Sequence, residues 1–111
     1  MRKIAIPVEN NRVCQHFGHC RQFAVYDVDD NKIISENFLT PPRHEPGVLP
    51  AWLAEMGVND VIAGGMGQRA INLFLNQKIN VYVGVAPKEP KELIQDFIND
   101  KLDAGKNLCD H

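Results

Sequence analysis

Residues 60–85, DVIAGGMGQRAINLFLNQKINVYVGV, decide the fold of this 111-residue chain. Residues 60–63 and 80–85 are short apolar runs that are typical of buried strands. The segment between them opens with glycines and continues with the apolar spacing of a helix, whose inward face is predicted to hold Ala70, Ile71, Phe74 and Leu75. A strand, a helix and a second strand in this order predict two parallel neighbouring strands joined by a right-handed crossover.

Three further strands are predicted before this unit, at residues 3–8, 22–28 and 32–39. The last two are joined by the acidic turn Asp29-Asp30-Asn31, which indicates a hairpin. Pro7 lies within the first of the three strands. Because proline lacks the N–H group that an inner strand needs, we expect Pro7 to mark the end of that strand.

Two more helices are predicted, at residues 48–56 and 88–99. The complete order β-β-β-α-β-α-β-α predicts a mixed five-stranded sheet with strand order 3-2-1-4-5 and helices on both faces. This is the three-layer α/β arrangement of ribonuclease H-like proteins. We expect residues 1–111 to form one domain, with a tail from about residue 100.

Composition and charge exclude several classes of protein. The chain is 44% apolar and 23% charged, has a net charge of −2, and contains no block of Lys and Arg residues that would indicate nucleic-acid binding. The first apolar run is too short for a secretory signal, and no run approaches the length of a membrane span. We therefore expect a cytoplasmic protein whose thiols are reduced, which makes a Cys14–Cys20 disulfide the less favoured alternative.

The three cysteines and four histidines are concentrated in loops and at the end of the chain. Residues 14–20 read CQHFGHC, one histidine opens the loop HEPG, and the chain ends in CDH. Thiolate and imidazole are the ligands that soft and borderline metals prefer. The sequence therefore predicts a metal or metal-cluster site with candidate ligands Cys14, His16, His19, Cys20, His44, Cys109 and His111. The alternatives are histidines that only cap or hydrogen-bond, and a loose tail with an incidental thiol.

The predicted topology brings the CQHFGHC loop, His44 and the GGMG loop to one edge of the sheet, where open α/β sheets bind ligands. The GGMG loop opens a helix, so its amide groups favour an anion, although a tight turn is an equal alternative. We predict cofactor contacts from Gly64, Gly65, Met66 and Gly67, together with Arg21, Arg43 and Arg69 beside the three loops. A nuclease is not indicated, because Asp60 lies at the opposite end of its strand and no carboxylates cluster at this edge.

Three segments of the chain resemble a known family. They are KIAIPVENNRVCQHFGHCRQFAVYDVDD (3–30), TPPRHEPGVLPAWLAEMGVNDVIAGGMGQRAINLF (40–74) and GKNLCDH (105–111). They are similar to the dinitrogenase iron–molybdenum cofactor biosynthesis family of NifX and the C-terminal domain of NifB. The resemblance implies a ribonuclease H-like fold and a non-catalytic carrier of an iron–sulfur or iron–molybdenum cluster, or of its precursor.

The same resemblance implies cluster donor and acceptor proteins as partners. Cys14, Cys20 and the CDH ending resemble the stand-alone branch of the family, in which the cargo is not fixed. A mononuclear zinc- or iron-binding regulatory module and a small thiol-dependent enzyme are the alternatives that the residues leave open. A homodimer is a further open expectation.

Overall fold

The computed structural model of the chain describes residues 2–14, 21–41 and 48–102. Within these ranges the strands and helices follow the predicted order, with one additional strand near the N-terminus. In chain order they are β1 (Arg2–Glu9), β2 (Arg12–Val13), β3 (Gln22–Asp29), β4 (Lys32–Leu39), α1 (Val48–Glu55), β5 (Asp60–Ile62), α2 (Gln68–Asn76), β6 (Asn80–Tyr82) and α3 (Pro90–Ile98).

The five longer strands form a mixed sheet in the order β4-β3-β1-β5-β6. β1 pairs antiparallel with β3 and parallel with β5, while β3–β4 is antiparallel and β5–β6 is parallel. This is the predicted order 3-2-1-4-5, so the ribonuclease H-like α/β fold is confirmed. Strands β1, β4, β5 and β6 all finish at the same end of the sheet, here called the top edge.

The sixth strand, β2, was not predicted. It pairs antiparallel with β1 and makes a hairpin whose two central residues, Asn10 and Asn11, have φ of 53° and 63°. The predicted β3–β4 hairpin turns in the same way at Asp30 and Asn31, with φ of 52° and 61°. Two successive left-handed residues match the right-handed twist of the strands on either side, and Asn and Asp tolerate that conformation.

Two apolar clusters occupy the two faces of the sheet. Helix α3 contributes Leu93 and Ile94 to the first cluster, which includes Ile4 and Tyr26 from the strands. Helices α1 and α2 cover the opposite face, where Phe74 is fully buried. Leu75, predicted to face inward, is instead 53% exposed, because the apolar face of α2 is centred on Phe74 and Ala70.

Pro7 lies inside β1, which continues to Glu9, so the expected strand end at Pro7 is wrong. Its carbonyl oxygen accepts a hydrogen bond of 2.8 Å from the N–H of Cys14. Because the nitrogen and oxygen of one strand residue point to the same side, the missing N–H faces Cys14 and the β1–β3 ladder loses no bond.

Several predicted boundaries shift by a few residues. The last strand ends at Tyr82 instead of residue 85, and the last helix begins at Pro90, where the fixed φ of proline suits the first helical position. Leu102 still packs against the first cluster. The rest of the predicted tail, residues 103–111, lies outside the described residues. Within the described ranges, no helix is long and apolar enough to cross a membrane.

Candidate functional site

Cys14 follows β2 directly and joins the two halves of the sheet at the top edge. Its N–H donates to the carbonyl of Pro7, and its own carbonyl accepts a hydrogen bond of 3.3 Å from the N–H of Gly64. The residue is 3% exposed, although the sequence places it at the start of a predicted loop. Its backbone is held by Pro7 in β1 and by Gly64 after β5. The structure therefore brings the first candidate thiol together with the start of the GGMG loop.

The GGMG loop connects β5 to α2, as predicted. Gly64, Gly65 and Met66 are buried, and Gly67 is exposed. Gly64 uses both backbone groups, because its carbonyl also accepts a hydrogen bond of 3.0 Å from the N–H of Gly84. Its amide is therefore committed to Cys14, and only the later part of the loop remains a candidate for contact with an anion.

Gly67 is the N-cap of α2 and has an ordinary extended conformation, with φ of −67° and ψ of 152°. A Cβ atom built on it would meet nothing within 4 Å. The first hydrogen bond of the helix runs from the N–H of Ile71 to the carbonyl of Gly67. The N–H groups before Ile71 have no acceptor within the helix, and the helix dipole places partial positive charge there. Arg69 is exposed in this first turn.

A surface cavity with a volume of about 730 Å³ lies on the antiparallel half of the top edge. Arg21 is exposed at this surface and comes directly after the CQHFGHC segment, while Thr40 comes shortly before the HEPG loop. Arg21 and Thr40 therefore place the chain next to both predicted ligand loops at this edge. The described lining consists of Val8, Glu9, Asn10, Asn11, Arg21, Gln22, Phe38 and Thr40.

Most of the predicted metal ligands fall outside residues 2–14, 21–41 and 48–102. These are His16, His19, Cys20, His44, Cys109 and His111, and the same holds for Arg43. Among the residues that are described, no group of three or more Cys, His, Asp or Glu side chains is arranged to hold a metal ion. The ligand set of the site stays a prediction.

Sequence reasoning missed Gly84, the residue that completes the hydrogen bonding of Gly64. Gly84 has φ of 77°, in the left-handed region that favours glycine. It follows β6 in the segment VYVGV, where an isolated glycine after an apolar run was the available signal. Asn10-Asn11 was a second missed signal, since paired asparagines between apolar residues are typical of a tight hairpin.

Comparisons relate the chain to known proteins. The family described as "Dinitrogenase iron-molybdenum cofactor" matches residues 1–100. The uncharacterized protein MJ0580 of Methanocaldococcus jannaschii is 38% identical over 87 residues, which are 74% of each chain. The crystal structure of PH0822 is similar with a TM-score of 0.85 and 31% identity, covering 92% of this chain and 93% of that one.

The apo form of the orange protein from Desulfovibrio gigas has the same fold at 19% identity. Its TM-score is 0.79, and the match covers 96% of this chain and 95% of that chain. The fold is therefore shared well beyond the range in which the sequences are closely similar.

Proposed function

Since the chain belongs to the dinitrogenase iron-molybdenum cofactor family, we propose that it is a carrier that binds an iron–sulfur or iron–molybdenum cluster, or a precursor of one, and passes it to an acceptor protein. The observation that carries the proposal is the hydrogen bond from Gly64 to Cys14. It holds a thiol-bearing residue against a glycine loop that opens a helix, at the edge where both predicted ligand loops begin.

The residue chemistry fits such a cargo. Thiolates bind iron in sulfide clusters, and imidazole accepts iron or a heterometal. Clusters ligated by sulfide and thiolate are anionic. The partial positive charge at the N-terminus of α2 and the cations Arg21 and Arg69 would offset the negative charge of the cluster. Cys14 would be the ligand that the fold fixes, and His16, His19 and Cys20 would add ligands from the same loop.

A carrier must also release what it binds. A site at a sheet edge that uses few protein ligands leaves coordination positions for an acceptor, whereas a closed cage of four thiolates does not. We propose no catalytic step for the protein. Its place of action is the cytoplasm, where its thiols stay reduced.

Anaerobic reconstitution tests the proposal. Purified protein is incubated with iron and sulfide, with and without molybdate, and its metal and sulfide contents and visible absorption are measured after desalting. We expect bound iron with sulfide and broad charge-transfer bands. Stoichiometric zinc or iron without sulfide would indicate the mononuclear regulatory module, and a protein that retains no metal would contradict the carrier proposal.

A further inference from the structure

A row of three backbone hydrogen bonds crosses the top edge of the sheet. The N–H of Cys14 donates to Pro7 (2.8 Å), the N–H of Gly64 donates to Cys14 (3.3 Å), and the N–H of Gly84 donates to Gly64 (3.0 Å). We call these three bonds the edge row. It connects Pro7 inside β1 to the segments that follow β2, β5 and β6, and Gly64 participates in two of its bonds. Any displacement of Gly84 is therefore passed to Gly64 and from there to Cys14.

Within the edge row, Gly84 has a backbone conformation that favours glycine. Its φ of 77° is one that L-residues rarely adopt. The next residue, Val85, is 4% exposed and packs in the first apolar cluster. Because Val85 is held by the core, strain from a side chain at residue 84 would be relieved in the peptide plane before it. That plane carries the N–H group that Gly84 donates to Gly64.

We propose that Gly84 is a positioning residue for the cargo site. Its left-handed conformation keeps Gly64 in the edge row, and Gly64 in turn fixes the backbone of Cys14. The inference rests on the proposed function, because it concerns the same site. The geometry of Cys14 can nevertheless be tested on the protein without cargo, which separates the two proposals.

The first test measures the access of a reagent to Cys14. In a Cys20→Ser/Cys109→Ser background Cys14 is the one thiol of the chain, and because it is buried, labelling by a small thiol reagent requires local opening. We expect Gly84→Ala to accelerate labelling about tenfold, from the strain of an L-residue in the left-handed region.

Gly57→Ala is the matched control. Gly57 has φ of 82°, and a Cβ atom there would meet nothing within 4 Å, so this variant introduces the same backbone strain without a clash. It lies just after α1 and its N–H bonds to Ala54, outside the edge row. Labelling of Cys14 should keep its rate in this variant. An equal acceleration in both variants would show that labelling follows global unfolding, and the positioning role would then be wrong.

Rescue and spectroscopy complete the test. Gly84→Asn should restore slow labelling, because asparagine tolerates left-handed φ. For reconstitution the parent is the protein with all three cysteines. In it, Gly84→Ala should alter the visible absorption of the bound cargo, while Gly84→Asn and Gly57→Ala should keep the spectrum of this parent. If the parent binds no cluster, the carrier proposal fails and the labelling result still decides the role of Gly84. If the parent loads normally and Gly84→Ala labels at the parent rate, only the positioning role is refuted.

Discussion

Arg2 binds the carboxylate of Asp60 with two of its guanidinium nitrogens, at the end of the sheet opposite the candidate site. Nε and Nη2 both donate, the latter at 3.0 Å, and the amide of Asn80 donates to Asp60 Oδ1 at 3.0 Å as well. Asp60 is fully buried, whereas the Arg2 side chain is 47% exposed. The three residues connect the beginnings of β1, β5 and β6.

Removal of Arg2 should destabilise the fold more than neutralisation of Asp60. Arg2→Ala leaves a buried carboxylate with Asn80 as its neutral partner, and we expect a loss of about 2–3 kcal/mol in the free energy of unfolding. Asp60→Asn keeps the shape and removes the charge, so about 1–2 kcal/mol is expected. Denaturant unfolding of both variants and of the double variant measures these values. If the loss in the double variant equals the sum of the losses in the two single variants, Arg2 and Asp60 are not coupled.

The strand order was predictable because its signals are local. Four of the five longer strands contain an apolar run, and β4 is indicated by the turn Asp29-Asp30-Asn31 before it. The change from hairpin connections to alternating helices then selects the order 3-2-1-4-5. β2 was missed because a two-residue strand has no periodicity. Leu75 was misplaced because two adjacent apolar residues, Phe74 and Leu75, fit the inner face of a helical wheel almost equally well.

The convergence of the segments at one edge was predictable from the sequence, whereas their hydrogen bonding and burial were not. Topology alone brings the region after β1 and the GGMG loop to one edge, and the Cys14–Gly64 hydrogen bond agrees with this placement. The burial of Cys14 was not predictable from CQHFGHC, because its backbone bonds to Pro7 and Gly64, which lie outside that segment. The acceptor of the Gly84 N–H was likewise not predictable, because Gly64 lies in another segment of the chain.

Stability should decline above pH 10 because of Tyr26. This side chain is fully buried and its hydroxyl donates to Glu36 Oε2 at 2.6 Å. Burial, followed by the hydrogen bond to Glu36, raises the pKa of Tyr26 above its ordinary value. Since the folded pKa is the higher one, this stabilisation is complete below about pH 10 and is lost as the unfolded chain ionises, by up to about 1.4 kcal/mol per pH unit.

Denaturant unfolding between pH 8 and 11 measures this dependence. Tyr26→Phe should be less stable at pH 8 by about 1 kcal/mol, because the hydrogen bond is lost, but its stability should fall less steeply above pH 10. Tyr82→Phe is the control for the other tyrosine and should keep the steep decline. Parallel curves for the parent and Tyr26→Phe would contradict the prediction.

Substitutions of Gly67 can distinguish a structural role of the GGMG loop from contact with the cargo. Its φ is ordinary and the space for a Cβ atom is open, so Gly67→Ala should change the free energy of unfolding by less than about 1 kcal/mol. Gly67→Ser adds a side chain that can cap α2 and should be more stable than the alanine variant by about 1 kcal/mol.

Both variants place atoms at the N-terminus of α2, and we therefore expect both to retain less cluster after desalting. Thermal unfolding and iron content per folded molecule are measured on the same samples. If the serine variant is stabilised and the iron content of both variants equals that of the parent, the glycine loop serves the fold alone.

The last prediction concerns the two thiols of CQHFGHC. Cys14→Ser places a hydroxyl where a buried thiol was, so about 1 kcal/mol of stability should be lost, and Cys14→Ala serves as the matched variant without a polar group. Because thiolates are the expected iron ligands, Cys14→Ser/Cys20→Ser should lose the cluster even when occupancy is counted per folded molecule. Iron and sulfide analysis of the folded fraction, isolated by gel filtration, measures this. Cys109→Ser in parallel tests the terminal thiol: a reduced occupancy makes it a ligand, and an unchanged one assigns the cluster to the CQHFGHC loop. Full occupancy in the double variant would refute the assignment of both thiols.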